Sequence, residues 1–139
     1  MNLALMDTGP LVAYLDVHDP EHRLVAEVLE QYAGTLCTTG AVVTEAMHLV
    51  SGNSHGPSTL AAFFEESQVK IYDCFGYAEL KMAVSLMGQY HNLPMDFADA
   101  TLILLSEQLA CTDIFTLDRR GFKTFRTPSK RGFRLMLDA

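Results

Sequence analysis

The stretch that most limits the possible folds is Leu93-Pro94-Met95-Asp96-Phe97-Ala98-Asp99-Ala100-Thr101-Leu102-Ile103-Leu104-Leu105-Ser106-Glu107. Pro94 precedes a helix start, two carboxylates follow three positions apart, and the segment then runs to Leu105 almost without a polar residue. A helix this apolar all round is buried, so the chain must supply layers that cover it. Asp96 suits the N-cap and Asp99 the third helical position, where the pair would form a capping box at the positive end of the helix dipole. Capping alone would explain both acids, and a functional role stays open beside it.

Elements on either side of this helix alternate between strand and helix. Asn2-Leu3-Ala4-Leu5-Met6 reads as a buried strand ending at Asp7, and Thr8-Gly9-Pro10 turns into a helix over Leu11-Val12-Ala13-Tyr14-Leu15. A second helix is expected from Glu21 to Ala33, with His18 and His22 as solvated loop residues. A strand over Thr35-Leu36-Cys37-Thr38 leads to a helix from Ala41 to Val50, and a Gly/Ser/Asn loop leads to a short helix from Thr59 to Glu66. Val69-Lys70-Ile71-Tyr72 is a third strand. Tyr77 to His91 is an amphipathic helix whose Met82, Leu86, Met87 and Tyr90 face the core. Ile114-Phe115-Thr116 is a fourth strand and Phe133 to Leu137 a final edge strand. The alternation predicts a three-layer α/β/α sandwich around a mainly parallel sheet of four or five strands.

With 139 residues and 49% hydrophobic side chains, the chain suits one domain over residues 1–139 with a substantial core. It contains no run of 18 apolar residues and no signal-peptide pattern, so no membrane association is indicated and the cytoplasm is the expected compartment. Cys37, Cys74 and Cys111 are an odd set without CxxC spacing, and read as reduced core residues.

Four acids stand at the edges of apolar elements. Asp7 and Asp118 follow strands, where open parallel sheets place their sites. Asp99 interrupts the central helix, with Asp96 beside it, and Glu45 is nearly encircled by apolar residues in Val42-Val43-Thr44-Glu45-Ala46-Met47. A buried carboxylate is costly unless paired, hydrogen-bonded or bound to a cation, and His48 one turn on offers Glu45 a structural partner. If the first and fourth strands are neighbours, the acids meet at one edge of the sheet, where they cannot all be anions without a compensating cation. Hard oxygen ligands without a Cys/His set point to Mg²⁺ or Mn²⁺, and such ions suit hydrolysis of a phosphodiester. A metal-dependent nuclease is therefore the expected activity. A catalytically silent interaction module, in which the acids are caps, and a phosphohydrolase for small esters are the alternatives; Gly9, two residues after Asp7, argues against an aspartyl-phosphate design.

Charge is unevenly spread. The first 118 residues carry 16 acids against three Lys/Arg, whereas the last 21 carry seven Lys/Arg against Asp138 alone. Arg119, Arg120, Lys123 and Arg126 follow Asp118 directly; composition leaves open a solvated surface, a phosphate-binding edge or a patch for an acidic partner, and in a nuclease they would hold the nucleic-acid backbone that the acids would otherwise repel.

Asp7-Thr8-Gly9-Pro10-Leu11-Val12-Ala13, Val43-Thr44-Glu45-Ala46, Met95-Asp96-Phe97-Ala98-Asp99-Ala100 and Thr116-Leu117-Asp118-Arg119-Arg120 together resemble PIN-domain proteins, particularly VapC-type toxin ribonucleases, across nearly the whole chain. The resemblance implies a PIN-like sheet, a Mg²⁺ or Mn²⁺ site, endonucleolytic RNA cleavage, a homodimer and a cognate antitoxin partner. It also implies that Asp7, Glu45 and Asp99 are the core ligands and Asp118 a more variable fourth. Asp96 would stand behind them, and Thr8 and Thr116 would orient ligands or water. Gly121 departs from the polar or acidic residue that many relatives carry, which leaves the shape after Asp118 open.

Overall fold

The computed structural model describes residues 2–73 and 76–138. Five strands form one sheet: β1 (Leu3–Met6), β2 (Thr35–Thr39), β3 (Lys70–Tyr72), β4 (Asp113–Phe115) and β5 (Arg134–Leu135), in the order β3-β2-β1-β4-β5. Every pairing is parallel, with Leu5 opposite both Cys37 and Ile114. Among the described residues seven helices connect and flank the strands: α1 (Thr8–Leu15), α2 (His22–Gln31), α3 (Gly40–Val50), α4 (Gly56–Glu66), α5 (Tyr77–Gln89), α6 (Phe97–Leu109) and α7 (Arg119–Thr124).

The chain builds outward from β1 in one direction to β3, then returns to the other side of β1 as β4. Right-handed crossovers accordingly put α1 to α4 on one face and α5 to α7 on the other, giving the expected three-layer sandwich. That reversal opens a crevice beyond the C-terminal ends of β1 and β4. Parallel strands in such a sheet are covered on both faces, and Ala4, Leu5, Met6, Ile114 and Phe115 have no exposed surface.

The central helix lies where its composition requires. From Ala98 to Ile103 every residue of α6 is buried, and it packs against α5, β2 and α3. Its last turn ends at Ala110 in the left-handed region, φ 52°. Cys37 and Cys111 are buried thiols, held upward in pKa by that burial, in line with an inert core role; Cys74 lies outside the described residues.

Several expectations need correction. His22 is not a loop residue: it opens α2, is half-buried, and a ring nitrogen lies 2.8 Å from the Ala13 carbonyl. Met82 is 45% exposed, because α5 turns Ala83 and Leu86 toward α6 and leaves Met82 outside. The final strand shrinks to Arg134–Leu135, since Met136 and Leu137 form a turn before Asp138. α4 begins three residues earlier than expected, with Pro57 in its first turn, a position where proline's missing N–H costs nothing.

Candidate active site

The crevice is framed by helix N-termini. Asp7 caps α1, accepting the Thr8 N–H at 2.8 Å; Asp96 caps α6; Asp118 caps α7, accepting the Gly121 N–H at 3.0 Å. Asp96 and Asp99 form the anticipated capping box, with the Asp99 N–H donating to Asp96 Oδ1 at 2.8 Å and the Asp96 N–H donating to Asp99 Oδ2 at 3.2 Å. Three of the four candidate ligands, Asp7, Asp99 and Asp118, are thus also capping residues. The positive ends of these helices offset part of the charge that the acids bring together.

Asp7 is anchored from β4. Its backbone N–H donates to the Phe115 carbonyl, and the fully buried Thr116 hydroxyl donates to Asp7 Oδ2 at 2.8 Å. Thr116 Oγ1 in turn accepts the Asp118 N–H at 3.0 Å. Both candidate strand-end acids therefore depend on one hydroxyl, which requires β1 and β4 to be adjacent.

The electrostatics are those of an uncompensated acidic pocket. Burial pushes the Asp7 carboxyl up to about 6; the hydrogen bonds from Thr116 and Thr8 pull it down, and the charges of Asp96 and Glu45 push it up again. Asp99 is also raised, chiefly by burial and then by the neighbouring Asp7 and Asp96, with Asp118 adding to the effect. All five acids thus act on one region, although they come from β1, α3, α6 and the segment after β4. Two acidic groups with raised proton affinity in a crevice mark a functional site more often than a structural one.

Glu45 differs from its sequence expectation in one respect. It is half-buried rather than enclosed, because α3 buries Val42 and Ala46 and leaves Thr44, His48 and Leu49 exposed. Among the described residues neither His48 nor any other side chain hydrogen-bonds it, so Glu45 reaches the crevice as a free carboxylate.

A divalent cation suits this donor set. The oxygens are hard carboxylates, the buried charge lacks a nearby cation, and the Thr8 hydroxyl, buried next to Asp7, has no hydrogen-bond partner among the described residues. No three acidic, histidine or cysteine side chains among the described residues stand close enough to cage an ion by themselves. The acids come from the ends of β1 and β4 and from α3 and α6, and an ion held among them would keep coordination positions for water and substrate oxygens, as Mg²⁺ usually does.

The basic segment is divided by its own contacts. Arg119 pairs with Asp138 at 2.9 Å and reaches Glu21 at 3.9 Å, and Lys123 pairs with Asp138 at 3.1 Å. The Arg126 guanidinium donates to the carbonyls of Lys123, Thr124 and Phe125, closing the end of α7. Arg120 is exposed and has no acidic partner among the described residues. Arg134 pairs with Asp113 at the start of β4, the end of the strand away from the acids. Of the four cations expected at the nucleic-acid backbone, Arg120 is therefore the one without a side-chain partner among the described residues.

Residues that sequence reasoning missed are Thr39 and Thr101. Their hydroxyls lie 2.8 Å apart, both buried, between the N-cap of α3 and the second turn of α6. Two neutral residues separated by 62 positions carry no sequence signal of such pairing.

No protein-family model matches the chain. The chain is 31% identical over 124 residues to Ribonuclease VapC26 of Mycobacterium tuberculosis, a match spanning 88% of this chain and 91% of that protein. Among solved structures it resembles the Mycobacterium tuberculosis toxin VapC20, described as cleaving the sarcin–ricin loop, with a TM-score of 0.74 at 16% identity, covering 85% of this chain and 91% of that one.

Proposed function

This chain belongs to the VapC family of PIN-domain ribonucleases, and from that membership we propose that it is a Mg²⁺- or Mn²⁺-dependent endoribonuclease, the toxin of a toxin–antitoxin pair, hydrolysing RNA phosphodiester bonds at the β1/β4 crevice. The observation that carries the reading is the burial of Asp7 and Asp99 side by side with no cation among their partners, each holding its proton more tightly for that reason. Asp7, Glu45 and Asp99 would hold the ion, with Asp118 as a fourth ligand. Bound there, it would activate water and offset charge on the nonbridging and leaving oxygens of the phosphodiester.

The chain's own residues set up that chemistry. Thr116 fixes the rotamer of Asp7, and the Asp96 N–H holds the Asp99 carboxylate through the capping box. Thr8 offers its unpartnered hydroxyl beside Asp7, where it can orient water or a phosphate oxygen. Arg120, with Arg119, Lys123 and Arg126 behind it, would steady the RNA backbone against the repulsion of the acids.

A homodimer and a cognate antitoxin belong to the same reading. Support for a covered face comes from Ile71, Tyr77 and Leu80, exposed at 49%, 86% and 44% around an open groove of about 620 Å³ beside the edge strand β3. The cytoplasm is the proposed compartment; among the described residues no helix is long and apolar enough to cross a membrane.

The test is cleavage of structured RNAs, a ribosomal sarcin–ricin stem-loop among them because VapC20 is described as cutting it. Purified chain is assayed with Mg²⁺, Mn²⁺ or EDTA beside Asp7→Asn and Asp99→Asn. Cutting that needs the metal and disappears in both variants is the expected result. Equal cutting by wild type and folded variants would remove the crevice as the catalyst.

A further inference from the structure

Two of the candidate ligands sit on helices that approach from different connections. Glu45 lies on α3, which follows β2, and Asp99 lies on α6, which precedes β4. Strand pairing does not fix the distance between them, because both are displaced from the strand ends by one or more helical turns. Something else must set it.

The Thr39 and Thr101 hydroxyls join these two helices where the acids enter the crevice. Proton directions around the pair follow from the other bonds. Thr101 Oγ1 donates to the Ala98 carbonyl at 2.7 Å, so its hydrogen is committed and it can only accept from Thr39. Thr39 Oγ1 therefore donates across the 2.8 Å gap, and its lone pair accepts the Val42 N–H at 3.4 Å. The chain runs from the first turn of α3, through both hydroxyls, to the carbonyl of Ala98, the residue immediately before Asp99. Thr39 is 2% exposed and Thr101 1%, so water does not compete for these bonds. A buried, fully satisfied polar chain of this kind has one arrangement and holds its ends rigidly.

We propose that the Thr39–Thr101 hydroxyl pair is a positioning device for the metal site, setting the separation of Glu45 and Asp99 by stapling the N-terminus of α3 to the second turn of α6. The inference rests on the metal-dependent reading above. It assigns neither threonine a contact with metal or RNA. Each acts through the helix it belongs to. The pair also lines a cavity of about 220 Å³ with Tyr72, Met82, Leu104 and Leu105. The cavity borders α6 beside the staple, so loss of the hydroxyl bond leaves α6 space to shift on that side.

The experiment compares Thr101→Val, Thr101→Ala and Thr101→Ser in the full chain, with Mn²⁺ affinity measured by calorimetry and kcat and KM measured on a cleavable RNA in Mg²⁺. Valine keeps the shape and removes the hydroxyl; alanine keeps the test open should valine misfold, and circular dichroism reports folding for all three. The expected result is Mn²⁺ affinity and kcat each lowered about tenfold in the valine and alanine variants, the range seen when groups behind metal ligands are removed. KM for RNA should stay within about twofold, and serine should restore both losses, because a hydroxyl that only stabilised the fold would move the melting temperature without splitting kcat from KM. Folded Thr101→Val or Thr101→Ala that binds Mn²⁺ as tightly as wild type overturns the staple alone. Wild type that binds no Mn²⁺ overturns the metal-dependent reading itself, and the staple with it.

Discussion

Thr116 Oγ1 stands 2.8 Å from Asp7 Oδ2 and 3.0 Å from the Asp118 nitrogen, so a single hydroxyl on the far side of the β1/β4 boundary orients one acid through its side chain and the other through its backbone. Replacing Thr116 by valine keeps the volume and removes both bonds. The Asp7 carboxylate then loses the interaction that most lowers its proton affinity, and a better-protonated Asp7 is a poorer ligand. Thr116→Val should therefore cut kcat/KM about ten- to hundredfold and steepen the dependence on Mg²⁺, while Thr116→Ser stays within a few-fold. A valine variant with wild-type Mg²⁺ dependence would separate Thr116 from the chemistry.

The raised acids make the metal-free protein sensitive to pH in a defined direction. Asp7 titrates at about 6 in the folded chain against 3.8 when free, and Asp99 is shifted the same way. The folded state thus binds more protons than the unfolded state from about pH 4 upward. Stability is highest below that range and is lost as pH rises through the folded-state values. In EDTA the chain should melt higher at pH 5 than at pH 7.5, and added Mg²⁺ should raise the melting temperature more at pH 7.5 than at pH 5. Calorimetric scans that rise with pH in EDTA would contradict the assigned burial.

The same argument predicts a variant that is more stable and inactive. Asp99→Asn keeps an oxygen to accept the Asp96 N–H and is neutral at every pH, so the folded chain no longer has to hold a proton there against burial and the charges of Asp7, Asp96 and Asp118. In EDTA at pH 7.5 it should gain on the order of 1–3 kcal/mol while losing both cleavage and stabilisation by Mg²⁺. Asp7→Asn is the less clean experiment, since Asp7 accepts from both Thr8 and Thr116 and an amide offers one oxygen. A destabilised Asp99→Asn in EDTA would mean that the acid serves the fold more than the site.

The sheet and the strand-end acids were legible because each left a local pattern: an apolar run, then Asp7 or Asp118, then a helix start. The apolar run from Ala100 to Leu105 likewise announced α6 and its position inside the sandwich. Glu45 looks enclosed in sequence because its neighbours are apolar and the facing of the helix is not visible there; α3 turns Thr44 and His48 outward and leaves Glu45 half-buried. Thr39 and Thr101 were invisible for a different reason, since an uncharged hydroxyl in an apolar segment looks the same whether or not a partner lies 62 residues away. The density of the basic segment does not show which cations are already engaged: three of its first four are held by Asp138 or by the carbonyls at the end of α7.

Gly121 answers the question its sequence context raised. A Cβ there would lie 2.3 Å from Asp118 Oδ2 and 2.9 Å from the Phe125 ring, while the Gly121 N–H donates to Asp118 Oδ1. The ring is buried and the carboxylate is held by the cap, so neither yields cheaply. Gly121→Ala should cost about 1–3 kcal/mol by denaturant titration and lower Mg²⁺ affinity by turning Asp118 out of its present rotamer. An alanine variant of unchanged stability and unchanged Mg²⁺ affinity would show that α7 can reseat without disturbing Asp118.

The arginines after Asp118 should divide by what they already hold. Arg119 lies in a half-exposed network with Asp138 and Glu21, and pairs of that kind stabilise by at most about 1 kcal/mol; to meet a phosphate it must release Asp138. Arg120, exposed and without an acidic partner among the described residues, can meet a phosphate at no such cost. In an Asp99→Asn background, where RNA binds without being cut, Arg120→Ala should weaken binding and reduce the slope of log affinity against log salt by about one. Arg119→Ala should change that slope less and instead lower the melting temperature, because Asp138 loses one of its two cations. Fluorescence anisotropy across a salt series measures both. Equal slopes for wild type and Arg120→Ala would place the RNA backbone elsewhere on the crevice rim, and a larger loss for Arg119→Ala would show that Asp138 gives up its arginine when RNA arrives.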